Sequence, residues 1–342
     1  MTTIKINLLL LSLIASALTG CSDNIQSSAQ VKTTATANIV GGVLAEETFQ
    51  QQNGVVGLIG LSVETKHIKS DGSIDPQAQY QISICSGTLI EKNVVLTAAH
   101  CVVSFDPAIS LVAIAAHFKL DMIPTLTTLN FKDSIFAAGV IMNEDFLKGI
   151  TDKTPIDGAS WNDVALLKLQ ADAPVSFQFA QLASASDLAT IDTTTKALLS
   201  GYGVSTPILN KVQINPITKK PEVVAVSEET PTSGVLRKVE DQKIIMIVAD
   251  AGKDIVLDQT QGTGSCHGDS GGPAFLKQAD GTLLQIGVAS RATEPIGNCN
   301  EKGIYTNVAA QRLWIDAATK ALLAPAAQEV PAEATTPIEP TP

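Results

Sequence analysis

The stretch Gly264–Pro273 reads Gly-Ser-Cys-His-Gly-Asp-Ser-Gly-Gly-Pro. Glycines flanking a serine permit a tight turn that a Cβ would obstruct. Such a turn can bring one hydroxyl and two backbone N–H groups to a single point, which suits a nucleophile for acyl transfer and the donors that stabilise its oxyanion. A serine hydroxyl is a weak nucleophile until a base removes its proton. Thr97-Ala98-Ala99-His100-Cys101 supplies an imidazole whose intrinsic pKa fits that task. Asn162-Asp163, followed by the apolar run from Val164 to Leu169, supplies a carboxylate able to fix its tautomer. Singly, each has a bland reading: a histidine satisfied in a core, a capping aspartate, a turn serine. The set, in the order His100, Asp163, Ser270, favours catalysis.

This order, with Ile39-Val40-Gly41-Gly42, Gly201-Tyr202-Gly203 and Gly303-Ile304-Tyr305-Thr306, resembles the trypsin/chymotrypsin-like serine protease family from Ile39 to about Leu322. The resemblance implies an all-β fold of two six-stranded antiparallel β-barrels packed together, with a C-terminal helix. It implies a serine endopeptidase acting on a protein or peptide substrate through an acyl-enzyme. His100 would be the base, Asp163 its orienting carboxylate and Ser270 the nucleophile, with the oxyanion hole at the N–H groups of Gly268 and Ser270. Cleavage before Ile39 would free an α-amino group to pair with Asp269. Because Asn38 stands where that family has Lys or Arg, the expected activator is a protease of non-tryptic specificity.

The same resemblance implies a specificity pocket at Gly264, Ser290, Arg291, Ala292 and Gly303. Gly264 lies six positions before Ser270, where trypsin-like members carry an aspartate, so a Lys or Arg P1 side chain is not expected. A medium apolar P1 residue is the first expectation, and an acidic one drawn by Arg291 and His267 the second. A non-catalytic binding lipoprotein that keeps this fold is the rival function, and an esterase with the same triad is a third.

Composition narrows the rest. At 342 residues and 45% hydrophobic content the chain can bury a large core. A formal charge of −11 without a Lys/Arg-rich run argues against a nucleic-acid partner. Lys5, the apolar Ile6 to Leu18 and Leu18-Thr19-Gly20-Cys21 resemble a bacterial lipoprotein signal, so residues 1–21 are expected to direct export and lipidation of Cys21, and Ser22 points to the outer membrane. An ordinary secretory signal is the alternative. Residues 22–38 read as a flexible tether, 39–323 as the protease domain and 324–342 as a disordered tail rich in Pro, Ala, Glu and Thr.

Five cysteines is an odd number in an exported chain. With Cys21 assigned to lipid, Cys85, Cys101, Cys266 and Cys299 allow three pairings. The family resemblance selects Cys85 with Cys101 and Cys266 with Cys299. His67, His117 and His267 show no ligand spacing, so no metal or other cofactor is expected and these histidines read as surface residues. A monomer is expected.

The elements that must position these residues are short strands separated by turn signals. Strands are expected over Val55–Val63, Tyr80–Ile90, Val94–Thr97, Ile109–Ala116, Val140–Phe146 and Val164–Leu169 in the first half. In the second they are expected from Ala197, over Val235–Val239, Lys243–Val248 and Leu283–Ser290. Leu147–Trp161 and Thr206–Ser233 read as insertions, the latter a mobile surface segment. Leu313, Ile315, Ala318 and Leu322 are spaced for an amphipathic helix within Ala309–Leu323.

Overall fold

A computed structural model describes residues 39–146, 162–192, 194–206, 210–225, 233–247, 254–293 and 298–324. The expected signal, tether, 147–161 insertion and most of the tail lie outside the described residues. Strands β1 (Val43–Leu44), β2 (Val55–Glu64), β3 (Gln81–Glu91), β4 (Val94–Thr97), β5 (Ile109–His117), β6 (Ser134–Met142) and β7 (Ala165–Leu169) lead into β8 (Gln181–Leu182) and β9 (Lys196–Gly201). They are followed by β10 (Asn210–Ile214), β11 (Pro221–Ala225), β12 (Arg237–Ile247), β13 (Asp254–Asp258), β14 (Pro273–Lys277), β15 (Leu283–Ala292) and β16 (Lys302–Asn307).

The first barrel closes in the order β2-β3-β4-β7-β6-β5. The second closes as β9-β12-β13-β16-β15-β14, because β9 pairs with both β12 and β14, while β1 and β8 add to its outside. Closure removes the unpaired edges that apolar strands would otherwise expose. Strand β7 shows why its sequence is nearly continuous in apolar residues: it lies between β4 and β6, with Ala165, Leu166, Leu167 and Leu169 buried.

A third apolar cluster joins the barrels, with Phe49, Val55, Ile59, Tyr202 and Phe275 at its centre. The Tyr202 hydroxyl accepts from Gln50 Nε2 at 2.8 Å and donates to the Lys119 carbonyl at 2.8 Å, so this large buried ring leaves no polar tip stranded. Thr88 Oγ1 donates to Gln285 Oε1 across the same junction at 2.7 Å.

Several local expectations are corrected. Thr206–Ser233 contains a paired hairpin, β10 with β11, from Asn210↔Ala225 to Ile214↔Pro221. The strands expected at Val235–Val239 and Lys243–Val248 meet in one strand, β12, over Arg237–Ile247, and Val248 lies outside the described residues. The polar Glu240–Gln242 between them is a bulge, where the register against β9 shifts and Asp241 takes φ 63°. The strand expected at Val140–Phe146 starts earlier and stops at Met142. In the C-terminal helix Arg312–Leu323, Ile315 and Ala318 are buried and Trp314 and Leu322 pack on the first barrel, but Leu313 is 88% exposed. Leu313 lies two residues from Ile315, about 200° round the helix. His117 is buried too: Nδ1 meets Ser134 Oγ at 2.9 Å and Nε2 the Asp121 carbonyl at 3.3 Å.

Candidate active site

His100 sits in a single 3-10 turn, Ala99–Val102, directly after β4. Asp163 precedes β7, which pairs with β4 so that Thr97 faces Ala165. The two strand ends therefore deliver histidine and aspartate together. Asn162 takes φ 48°, a left-handed conformation that asparagine tolerates better than most residues, and this turns Asp163 inward. Gln311 donates to the Asn162 side-chain carbonyl and Asn143 donates to Gln311 Oε1, anchoring that turn from the C-terminal helix side.

The Asp163 carboxylate is 2% exposed and accepts three hydrogen bonds: His100 N–H on Oδ1 at 3.0 Å, the His100 Nδ1 position on Oδ2 at 2.7 Å, and Ser290 Oγ on Oδ2 at 2.7 Å. Thr306 Oγ1 adds a bond to its backbone carbonyl at 3.1 Å. Burial opposes ionisation of Asp163, yet the attraction of the His100 ring and these donors hold its carboxyl below the ordinary 3.8. For His100, lost solvation lowers the pKa, but the Asp163 charge and hydrogen bond outweigh it and hold the ring above 6.5.

Ser270 is brought to this pair by its backbone. Its carbonyl accepts from Ser86 N–H at 2.7 Å and lies 3.6 Å from Cys101 Sγ, next in sequence to His100. Gly271 N–H donates to the Ala289 carbonyl at 2.8 Å, tying the same turn to β15. Gly268, at φ 96°, starts the turn. Among the described residues, no hydrogen-bond partner falls to His100 Nε2, Ser270 Oγ, or the N–H groups of Gly268 and Ser270. Hydrogen bonds among catalytic groups commonly tighten only with substrate bound.

Asp269 is 1% exposed, its Oδ1 accepting from Gly203 N–H at 2.8 Å and its Oδ2 from Cys266 N–H at 2.9 Å. Desolvation pushes its pKa up to about 7 against those two bonds. The Gly201-Tyr202-Gly203 motif has its reason here: a side chain at either glycine would run into the Asp269 carboxylate. Ile39 is also buried, and Gly264 N–H donates to the Val40 carbonyl at 3.0 Å, so this segment is docked beside the Ser270 turn.

The remaining site residues lie on the second barrel. Ser290, Arg291 and Ala292 end β15, Gly303 faces Ala292 on β16, and Gly264 precedes the Ser270 turn at φ 146°. Arg291 is not presented as a free cation: its Nη2 pairs with Asp254 Oδ2 at 3.1 Å, both side chains being largely buried. His267 is exposed. Cys85–Cys101 and Cys266–Cys299 form the two disulfides, and Cys21 lies outside the described residues.

Two functional positions carry no motif. Ser86 Oγ accepts from Tyr202 N–H at 2.9 Å and donates to the Gly268 carbonyl at 3.0 Å, so one hydroxyl joins the first barrel to both segments that shape the Ser270 turn. Asp254 is the second, through Arg291. In the sequence the only signal for Ser86 was its place next to Cys85, and Asp254, at the start of β13, had none.

The chain matches the family model described as trypsin over residues 65–315. It is 30% identical to the tryptase of Mus musculus over 241 residues, 69% of this chain and 78% of the relative. It is 28% identical to the renal glandular kallikrein of Mastomys natalensis over 281 residues, 82% of this chain and 94% of that one. HL collagenase shares the fold at a TM-score of 0.53 and 21% identity, covering 82% of this chain and 98% of its own. With both barrels closed and the family model spanning most of its length, the chain belongs to the trypsin family and is a serine endopeptidase.

Proposed function

We propose that the chain cleaves peptide bonds through a triad of Ser270, His100 and Asp163. Ser270 Oγ bonds to the scissile carbonyl carbon as its proton passes to His100 Nε2, and the oxyanion accepts from the N–H groups of Gly268 and Ser270. The C–N bond breaks as His100 returns the proton to the departing amine, and water repeats the sequence to release the acyl group. The carrying observation is the pairing of half-buried His100 with buried Asp163 at 2.7 Å, which fixes the ring through Nδ1 and leaves Nε2 to work. Labelling with a fluorophosphonate tests this, with Ser270→Ala as control: label confined to Ser270 is expected, and label that persists in the variant sinks the reading. The intact donor and base set disfavours the binding-module alternative, since ligand binding alone does not require it.

The P1 side chain is taken to be neither Lys nor Arg, since Gly264 brings no carboxylate to the pocket. The Arg291–Asp254 pair disfavours an acidic one. We read the chain as a zymogen activated by cleavage before Ile39 by a non-tryptic protease, and as an exported outer-membrane lipoprotein held by Cys21. Both disulfides lie C-terminal to Ile39 and use every cysteine but Cys21. Cleavage therefore also frees the catalytic part from the lipid. Mature chain starting at Ile39 is expected in the soluble fraction after a carbonate wash; its retention in the membrane pellet argues against release.

A further inference from the structure

Gln259 follows β13 directly and is wholly buried, a costly place for a primary amide unless its hydrogen bonds are made. They are made: Nε2 donates to the carbonyls of Ser265 at 2.9 Å and Cys299 at 3.1 Å, and Oε1 accepts from Ser265 Oγ at 3.1 Å. Both donor hydrogens and one of the two acceptor sites are thus committed. The side chain lies between Gly264 and Gly303, the two glycines of the expected pocket. A Cβ at Gly264 would fall 2.5 Å from Gln259 Cδ, and a Cβ at Gly303 would collide with Oε1. The room left by the two missing side chains is therefore filled by a third residue.

We infer that Gln259 is the floor of the P1 pocket and restricts it to small side chains, of alanine or serine size. This rests on the proposed catalytic reading and narrows its P1 expectation from medium apolar to small. The amide excludes by volume a ring or a branched four-carbon side chain. It offers no carboxylate to a cation, and its two N–H groups, already bonded to carbonyls, offer nothing to an anion. A hydrophobic pocket discriminates a single methylene by only about 10- to 200-fold, so a floor several heavy atoms thick can set the preference outright.

The test is peptide binding to the Ser270→Ala chain cut before Ile39, which reads the pocket of the matured form without requiring turnover. Three product-like peptides differing only in a C-terminal Ala, Phe or Lys are titrated calorimetrically. Ala is expected to bind at least tenfold more tightly than Phe or Lys. Adding Gln259→Ala is expected to shift the Phe-to-Ala affinity ratio by tenfold or more toward Phe. Gln259→Leu, which keeps the volume and removes the amide, is expected to retain the Ala preference and guards against a misfolded alanine variant. Preference for Phe or Lys with Gln259 in place, an unchanged ratio in well-folded Gln259→Ala, or no binding by any peptide overturns the assignment. Failure of the triad is seen separately, as absent fluorophosphonate label on the Ser270-containing chain.

Discussion

The two barrels contribute unlike halves to one site. The first supplies His100 and Asp163 from the ends of two paired strands, β4 and β7, whose register is regular from Val94↔Lys168 to Thr97↔Ala165. The second supplies the Ser270 turn and the expected pocket; register shifts occur in both barrels, at β2–β5, β3–β4 and β6–β7 in the first and at β9–β12, β12–β13, β14–β15 and β15–β16 in the second. On the first side Asp163 is buried and its bonds are made, while His100 is a quarter exposed and its Nε2 has no hydrogen-bond partner among the described residues. On the second side polar groups turn inward and satisfy one another, Gln259 with Ser265 and Cys299, Arg291 with Asp254. Chemistry needs groups poised for use, whereas a pocket that selects by shape needs walls with no polar group left to pair.

The largest expected break falls on the first half. Asp163→Asn leaves the His100 ring without its charge partner and permits the wrong tautomer, so kcat/KM should fall on the order of 10⁴-fold. The same pair sets the acid limb. Because Asp163 holds the His100 pKa above 6.5, the fall in kcat/KM with falling pH should have its midpoint above 6.5 in the native enzyme. Steady-state kinetics across pH 5–9 checks both, and an acid limb centred below 6.5 in the native enzyme would contradict the coupling.

Next comes the buried pair of the second half. Asp254→Ala takes from the largely buried Arg291 its carboxylate partner and should cost about 3–5 kcal/mol of unfolding free energy by urea titration. Arg291→Met with Asp254→Leu should restore most of it while leaving cleavage after small residues intact. If the double variant instead loses P1 preference, Arg291 reads substrate after all and the contrast between the halves weakens.

Asp269 links the halves to maturation. Its folded pKa of about 7 lies above its ordinary 3.8, so between those values the folded state holds a proton that the unfolded state has lost. Stability of the uncut Ser270→Ala chain should therefore fall as pH rises from about 4 to 7, by about 4 kcal/mol in all, and stay level above. Asp269→Asn should flatten the slope. Cleavage before Ile39 should flatten it too if the new ammonium reaches the carboxylate; a slope unchanged by cleavage argues that no such pair forms.

The smallest effect is expected at the hinge between the halves. Ser86→Ala removes the acceptor for Tyr202 N–H and the donor to Gly268, costing about 1–3 kcal/mol. Its kcat should drop more than its KM rises, because the oxyanion donors lose alignment while the pocket does not. A pure KM effect would place Ser86 with the pocket instead.

Short-range constraints are legible along the chain without its fold. Glycines at Gly268 and in Gly201-Tyr202-Gly203 mark a turn and a close approach that no other residue accommodates, and alternating or continuous apolar runs mark strands by their period. The ordered motifs then carried the fold class and, through the resemblance, both disulfide pairings; they also supply the three residues on which the proposed reaction rests. Strands with interrupted patterns escaped: β12 was divided at its bulge, β13 passed unrecognised, and the β10–β11 hairpin sat in a segment read as mobile. The partnerships of ordinary polar residues, by contrast, come from long-range folding alone. Ser86 meets Gly268 across 182 residues of chain, and Arg291 meets Asp254 across 37. Nothing local distinguishes a serine, a glutamine or an arginine that will be buried and paired from one that will face water. Burying such a group is favourable only where partners arrive from elsewhere in the chain, and Gln259 finds Ser265 and Cys299 only once the second barrel has formed.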